Sequence, residues 1–326
     1  MRPLLLGAVM ASSLSWPAFA ISPSMEALVR SSNVPFQGTL IINGQTVVKV
    51  VHGAGDRRRQ EILSPLRMKG DLMVDSGKTL WHFSPRTQKV DLSPTRQWGD
   101  RVADRLRLLS QNYRMGLVGK EKVAGRTVHV VELLPTHGDR GSQRLWLDQV
   151  HAVPLRIERR SARGKLLERS EFREIDFLDQ VDPDLFLLEL PQNVAVTTSV
   201  RLLAAGRTLA DLGDQLPFAV KLPAYLPQGF EGMDMQLFES KGVKSLHWRL
   251  SDGLTTLSLF MTGKEHQPEL PSSRALELAP KQKAHLLEHP GRRTLCWTAD
   301  RVSYAMIGDL TEPELLKIAR STVLDN

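Results

Sequence analysis

"PFQGTLIINGQTVVKVVHG", Pro35 to Gly53, is the stretch from which the fold of the first half of the chain can be predicted. Two runs rich in β-branched residues flank Asn43 and Gly44, and this dipeptide in such a setting strongly indicates a β-hairpin. Alternate apolar residues, beginning with Phe36, suit strands that pack one face against a core. We therefore expect the domain to be built from antiparallel strands.

The same pattern continues in "SGKTLWHFSPRTQKVDL", Ser76 to Leu92. Ser-Gly and Ser-Pro turns separate two further short strands, and no helix lies between them to permit a parallel crossover. Trp81 and Phe83 alternate with His82, so the two aromatic rings are expected on one face of the sheet and His82 on the other. The sequence thus predicts a large antiparallel meander, which resumes from about residue 121 to residue 177.

Two helices are expected beside this sheet. "PSMEALVRSS" predicts a short helix, and "GDRVADRLRLLSQNYRMG" places Val102, Leu106, Leu109 and Tyr113 at helical spacing with Gly116 as a stop. A sheet that buries only one face needs a cover, and an amphipathic helix can supply it. A helix that does not fill the concave side would leave an apolar cavity there.

A second unit follows. Residues 199–215 show some helical character and no clear strand partner, so we expect a linker. Beyond it, hairpins are expected at Asp252-Gly253 and near Ala299-Asp300, followed by a helix in "TEPELLKIARSTV" with Thr311 as its N-cap. The predicted fold class is α+β, with a large curved antiparallel half-barrel sheet covered by helices, then a smaller antiparallel sheet domain with a C-terminal helix. The expected boundaries are 1–20, 21–198, 199–215 and 216–326.

The first 20 residues have the features of an export signal. Arg2 precedes an apolar run, and Ala18-Phe19-Ala20 forms an A-x-A cleavage site. The run is short for a membrane span, although an uncleaved anchor stays open as an alternative. No cysteine lies near the cut, so we expect a soluble, exported protein without a lipidated N-terminus.

Composition limits the range of partners. The formal net charge is +7, but acidic and basic residues interleave, as in "RIERRSARGKLLERSEFRE". An exported basic protein is expected to meet anionic lipid, lipopolysaccharide or an acidic partner, and the lack of basic tracts with stacking aromatics argues against nucleic acid. The lone cysteine, Cys296, is expected to be a buried small hydrophobe, with a reactive thiol as the alternative.

Nothing along the chain indicates catalysis. The nucleophile-elbow, zinc-protease, P-loop and dinucleotide-binding motifs are all missing from the sequence. His285 and His289 have i, i+4 spacing, which could present two metal ligands on a helix, but Pro290 favours an exposed loop. We expect no enzyme activity, no cofactor and no metal.

At this point the chain resembles a known family. The order "FQGTL…VVKVVH…GDLMVDSGKTLWHFSPRTQKVDL" is similar to the sheet of periplasmic LolA/LolB-type lipoprotein carriers. The second unit, "LPAYLPQGFEGMDMQLF…LHWRLSDGLTTLSLFM…TADRVSYAMIGDLTEPELLKIARSTV", resembles the C-terminal domain of the MucB/RseB regulators of sigma-E. One segment departs from that pattern, since "DRRRQEILSPLRMKGD" is closer to generic lipoprotein-sorting relatives.

The resemblance implies a periplasmic regulator. Such proteins bind the periplasmic domain of a membrane anti-sigma factor, protect it from proteolysis and so restrain an envelope-stress sigma factor. It also implies sensitivity to lipid, lipopolysaccharide or lipoprotein acyl chains, and it leaves a homodimer open. A LolA-like lipoprotein or lipid carrier or sensor is the alternative, although a carrier needs no second domain.

Ligands of this kind would require a hydrophobic cavity. We expect its lining to come from strand aromatics and helix apolar residues, with plain core packing as the alternative role for each of them. The candidates are Phe36, Trp81, Phe83, Leu106, Leu109, Tyr113 and Trp146.

Overall fold

The computed structural model describes residues 23–323, apart from 56, 78, 95–101, 138–139, 189–194, 199, 217, 264–271, 281 and 290–291. The expected signal peptide, 1–20, lies outside these residues. Within them the chain forms two sheets and three α-helices, and the predicted α+β class with a large sheet followed by a smaller one is confirmed.

The first sheet has 12 strands and is open, with β12 and β7 as its edges. All its pairs are antiparallel except β12 with β6, and the order is β12-β6-β5-β4-β3-β2-β1-β11-β10-β9-β8-β7. The strands are β1 (Phe36–Ile42), β2 (Thr46–His52), β3 (Arg58–Ser64), β4 (Leu72–Asp75), β5 (Thr79–Ser84), β6 (Lys89–Pro94), β7 (Tyr113–Val123), β8 (Arg126–Pro135), β9 (Ser142–Asp148), β10 (Pro154–Arg160), β11 (Leu166–Phe177) and β12 (Ala195–Thr198).

Helices α1 (Met25–Arg30) and α2 (Val102–Asn112) cover one face of this sheet, here called the inner face. Ser24 caps α1, since its side chain accepts a hydrogen bond from the amide of Ala27 at 3.0 Å. The buried side chains of both helices pack on strands β7 to β9, and this cluster comprises Leu28, Val29, Leu109, Tyr113, Val131, Leu133, Leu145 and Leu147. The helices therefore fill one end of the inner face.

The second sheet has eight strands in the order β13-β14-β15-β16-β20-β19-β18-β17. They are β13 (Arg201–Gly206), β14 (Glu231–Ser240), β15 (Val243–Ser251), β16 (Thr256–Gly263), β17 (Arg274–Ala279), β18 (Gln282–His289), β19 (Arg292–Ala299) and β20 (Val302–Gly308). Helix α3 (Glu312–Val323) buries Leu315, Ile318 and Ala319, as the sequence predicts. In the core beneath it Trp297 stacks on Tyr304, with ring centroids 5.0 Å apart.

The predicted hairpins are present. Asn43 and Gly44 both have positive φ, and β1 pairs with β2 from Ile42–Thr46 inward, so the loop has three residues. The turn at Asp252-Gly253 joins β15 to β16, and Gly253 has φ +96°. A positive φ has little steric cost for glycine, and it costs asparagine less than most other residues. This explains why these residue types occur at the turns.

Three local expectations are wrong. Helix α2 ends at Asn112, so Tyr113 is the first residue of β7 and Gly116 lies within that strand instead of stopping the helix. Residues 201–206, expected in a linker without a strand partner, pair with β14 and form an edge of the second sheet. His285 and His289 belong to strand β18, not to a loop, and four residues along a strand separate them by about 13 Å.

Candidate functional site: a cavity between the two domains

A cavity lies between the inner face of the first sheet, helices α1 and α2, and the second domain. Its volume is about 760 Å³, which is within the usual range for a site that binds a drug-sized molecule. The cavity is partly open to solvent, and residues of both domains line it, so a molecule that fills it would touch both.

Most of the wall is apolar. Strands β1, β2, β4, β5, β10 and β11 contribute side chains from their inner face, helices α1 and α2 contribute theirs from above, and β14 and the β15–β16 turn close one end. The apolar lining residues are Leu28, Val29, Phe36, Leu40, Val50, Met73, Leu80, Val102, Leu108, Val153, Pro154, Ile157, Phe172, Met233 and Leu254.

Three arginines interrupt this apolar wall. Arg58 and Asp75 are cross-strand partners on β3 and β4, so their charges lie side by side at one end. Arg105 reaches the cavity from α2, and Arg249 reaches it from β15. Arg249 donates a hydrogen bond to Asp234 at 2.8 Å, and both side chains are about nine-tenths buried. The cavity thus combines an apolar wall with guanidinium groups from both domains.

Of the predicted pocket residues, only Phe36 lines the cavity. It forms an edge-to-face contact with Phe172, another lining residue, with ring centroids 5.6 Å apart. Leu106, Leu109 and Tyr113 belong to the cluster between the helices and strands β7 to β9, where they support the cavity wall without reaching it. Leu108 is the α2 leucine that faces the cavity.

The remaining aromatic candidates lie on the outer face of the sheet. Trp81 packs against Val51, Val74 and Phe186, and Phe83, two residues along the same strand, has the same orientation. Phe186 comes from a 3-10 turn, Pro183–Phe186, that covers this outer face. Leu80, and not Trp81, faces inward. The side chains of β5 therefore alternate as expected, but Trp81 and Phe83 lie on the outer face and not on the face that lines the cavity.

Trp146 does not line the cavity either, although it belongs to the same core cluster as Phe36 and Phe172. Its neighbours Leu145 and Leu147 point to the helices, so period-two alternation places Trp146 on the opposite face. There its indole nitrogen donates to Glu121 at 2.9 Å, and the guanidinium of Arg156 lies 4.8 Å from its ring. Sequence alternation alone could not choose between the faces, because both faces of this sheet are partly covered.

Asp252 joins the two domains beside the cavity. Its side chain is fully buried, and its Oδ2 accepts hydrogen bonds from the hydroxyl of Tyr113 at 2.8 Å and from Arg140 at 3.1 Å. Burial and the nearby Asp252 carboxylate raise the pKa of Tyr113 well above its ordinary value. Asn112 adds two further bonds across the boundary, to the carbonyls of Gly229 and Asp252.

The adjoining residue, Gly253, approaches the backbone of α2 closely. A Cβ added there would lie 2.5 Å from the amide nitrogen of Leu109, so the turn fits against the end of α2 only as glycine. Gly253 and Leu254 also line the cavity. The same turn therefore forms part of the domain contact and part of the cavity wall.

Cys296 is buried, and that burial raises the pKa of its thiol to about 11, as expected for a small core residue. Among the residues that the structure describes, no group of three His, Cys, Asp or Glu could hold a metal ion.

None of the helices in the described ranges combines the length and apolar character that crossing a membrane requires.

Comparison with known proteins gives a consistent result over most of the chain. A model of the MucB/RseB N-terminal domain matches residues 26–190. The Sigma-E factor regulatory protein RseB of Escherichia coli (strain K12) is 24% identical over 322 residues, covering 92% of this chain and 91% of that relative.

Solved structures show that the fold is shared across both domains. A complex of Pseudomonas aeruginosa MucA/MucB aligns with a TM-score of 0.59 at 18% identity, covering 92% of this chain and 95% of that one. A structure of MucB alone aligns with a TM-score of 0.56 at 19% identity, covering 91% and 95%. The resemblance inferred from the sequence is thereby confirmed, and the chain belongs to the MucB/RseB family.

Proposed function

We propose that this protein is an exported regulator that binds the periplasmic region of a membrane anti-sigma factor, shields it from proteolysis and so restrains an envelope-stress sigma factor. The observation that carries the proposal is that similarity to RseB extends over 92% of this chain and 91% of the relative, which includes the second domain. A lipid carrier needs only the first domain. The solved complex of MucB with MucA supports a protein partner for this architecture.

Lipid binding is the second candidate, and the cavity favours it. An apolar wall would enclose acyl chains, while Arg58 and Arg105 in the lining would meet anionic groups of the ligand. Because the cavity wall includes the turn at Gly253, an occupant would contact the same residues that hold the domains together. Lipid and partner would then influence each other through one domain contact, which is a coupling free energy between two sites.

Capture of the partner tests the first function. The protein, purified after export, is immobilised and exposed to detergent extract of the envelope of its own organism. We expect a single-span protein, encoded beside a sigma factor, to be recovered and to resist added protease only while bound. Recovery of acylated proteins that pass to an acceptor, with no such single-span protein, would instead support a carrier.

Mass spectrometry of lipids extracted from the purified protein tests the second function. Met73→Trp adds bulk inside the cavity, and we expect it to lower the amount of co-purified acyl lipid several-fold. Leu117→Trp is the matched control, because Leu117 is 61% exposed on β7 and lies outside the cavity. Equal lipid content in the wild type and both variants would show that the cavity does not hold lipid.

A further inference from the structure

Four of the chain connections of the first sheet lie next to one another along one rim. The β1–β2, β3–β4, β5–β6 and β10–β11 connections fall on the same side because β6, β5, β4, β3, β2, β1, β11 and β10 are consecutive antiparallel neighbours. Seven strand spacings of about 4.8 Å extend this rim over roughly 34 Å. It is separate from the cavity, since none of the residues discussed next lines that space.

This rim is strongly basic. Its exposed cations, which together with the leucines below we call the cationic rim, are Arg67, Lys69, Arg86, Lys89, Arg163 and Lys165. Within the described part of the chain none of these six forms an ion pair. Asp71 is the one acid in the four connections, and it accepts a hydrogen bond from Ser84 at 2.9 Å.

Several arginines in the strands of the same sheet are, by contrast, paired with carboxylates. Arg156 and Arg169, for example, both reach Glu171 at 2.6 Å, and Arg144 pairs with Glu132. The six cations of the rim meet no carboxylate among the described residues, so their counter-charge must come from water, salt or another surface.

Exposed leucines are interspersed with these cations. Leu66 is 86% exposed, Leu166 is 44% exposed and Leu63 is 38% exposed. Leu66 is held outward by an ordered turn: the amide of Met68 donates to the carbonyl of Pro65 at 2.9 Å, and that of Gly70 donates to Ile62 at 2.7 Å. Pro85, from the next connection, packs near Gly70 and ties the two tips together.

We propose that the cationic rim docks on an anionic phospholipid bilayer. A lysine or arginine near such a surface contributes about 1 kcal/mol, and a projecting leucine can bury its side chain at the boundary between headgroups and acyl chains. The rim forms a line and not a concave pocket, which suits a laterally continuous surface better than a single folded ligand. An acidic protein would neutralise the cations but would provide no comparable medium for Leu66.

This docking would orient the protein with one rim on the membrane, so that a membrane-anchored partner and the protein approach each other in two dimensions. The inference stands independently of the anti-sigma partner, because its test uses lipid alone.

Vesicle co-sedimentation provides the test, using the protein purified after export. Vesicles contain phosphatidylcholine alone or with about one third phosphatidylglycerol, and binding is measured at low and at half-molar salt. We expect binding to the anionic vesicles only, and its loss at high salt. Replacing Arg67, Lys69 and Arg86 by glutamine is expected to weaken binding at least about tenfold. Leu66→Asn is expected to weaken it several-fold while leaving the charge unchanged.

The matched control replaces Lys120, Lys122 and Arg173 by glutamine. These exposed cations of β7 and β11 change the net charge equally but lie away from the rim, so vesicle binding should stay within about twofold of the wild type. Circular dichroism and thermal melting of each variant establish that it folds. Equal weakening in both triple variants would reduce the effect to net charge and overturn the assignment to the rim. A soluble acidic polypeptide provides the last comparison. If it binds as tightly as the vesicles do, and if Leu66→Asn does not weaken that binding, the rim binds an acidic protein and not a bilayer.

Discussion

At the residue scale, Asp252 is the most deeply buried charged residue among those that the structure describes. A carboxylate without solvent exposure is stable only if charged and polar partners compensate its lost hydration. Here Arg140 and Tyr113 supply them from the first domain, while the amides of Leu254 and Thr255 donate to its other oxygen at 3.0 and 2.7 Å. The charge of Asp252 is therefore compensated fully only while the two domains are docked.

Tyr113→Phe removes one of these partners without removing the ring. We expect it to lower the free energy of unfolding by about 1–2 kcal/mol, because a buried acceptor loses a donor. Tyr225→Phe is the matched control, since its hydroxyl donates to Glu314 at 2.7 Å at a less buried position within the second domain. Urea denaturation followed by tryptophan fluorescence measures both, and an equal loss in the two variants would contradict the special role of Asp252.

The hydrogen bonds of Asp148 lead to a prediction of how the free energy of unfolding depends on pH. Burial raises the pKa of this carboxyl, but hydrogen bonds from Arg126 at 2.7 Å and from His151 outweigh burial, so the pKa lies below its ordinary value. A depressed carboxyl pKa contributes stability above the unfolded-state value, near pH 4, and this contribution is lost as the pH falls further.

Asp148→Asn is therefore expected to lower stability at pH 7 by about 1–2 kcal/mol and to weaken the dependence on pH below 4. Urea midpoints recorded from pH 7 down to pH 3 provide the measurement. A variant that loses as much stability at pH 3 as at pH 7 would show that the lost packing, and not the charge, is responsible.

At the element scale, the sequence predicts the type of an element better than its ends or its exposed face. The hairpins at Asn43-Gly44 and Asp252-Gly253 follow from local turn chemistry, and α3 follows from its apolar period. Tyr113 continued the helical period of α2, yet its ring is held by Asp252, which is 139 residues away in the chain. Trp81 and Phe83 were assigned to the wrong face because the turn that covers the outer face lies about 100 residues later.

Strand β17 is an edge of the second sheet, and a side chain of α3 hydrogen-bonds to its backbone. Arg320, from α3, donates to the carbonyls of Leu278 and Glu277 at 3.2 Å each, where β17 has an irregular register. Edge strands leave unpaired backbone groups that otherwise invite association, and this side chain covers two of them.

Arg320→Gln is expected to cost about 1 kcal/mol and to speed amide hydrogen exchange in β17 and in the last turn of α3. Lys317→Gln is the control on the same helix, because its exposed pair with Glu314 should contribute little. Exchange measured by mass spectrometry should rise at β17 only in the first variant. Unchanged exchange there in Arg320→Gln would refute the capping role.

At the scale of the whole molecule, the cavity is a property of two domains together. Sequence reasoning predicted a cavity in the first domain alone and missed its second wall, because Arg249 and Leu254 lie far along the chain from the first-domain residues they face. The docking of the second domain on α2, to which Gly229, Asp252 and Gly253 contribute, brings the two groups of residues together.

Gly253→Ala tests this docking. We expect it to separate the melting transition into two or to lower the midpoint by several degrees, because the added Cβ meets the backbone of Leu109. Gly242→Ala is the matched control: its φ is +78°, close to that of Gly253, but nothing lies within 4 Å of an added Cβ. Calorimetry should show for the control only the loss of about 1 kcal/mol that backbone strain explains. The same loss in both variants would contradict tight docking.

The passage of the chain from β12 to β13 limits how the two domains can part. Only residues 199 and 200 separate Thr198 from Arg201, so three Cα steps allow these two positions at most about 11 Å of separation. A tether this short keeps each half at a high effective concentration for the other. Entry of a ligand into the cavity between the domains, or its release, must then involve a rotation of one domain about residues 199 and 200. Re-docking of the domains after each opening should be rapid and independent of protein concentration.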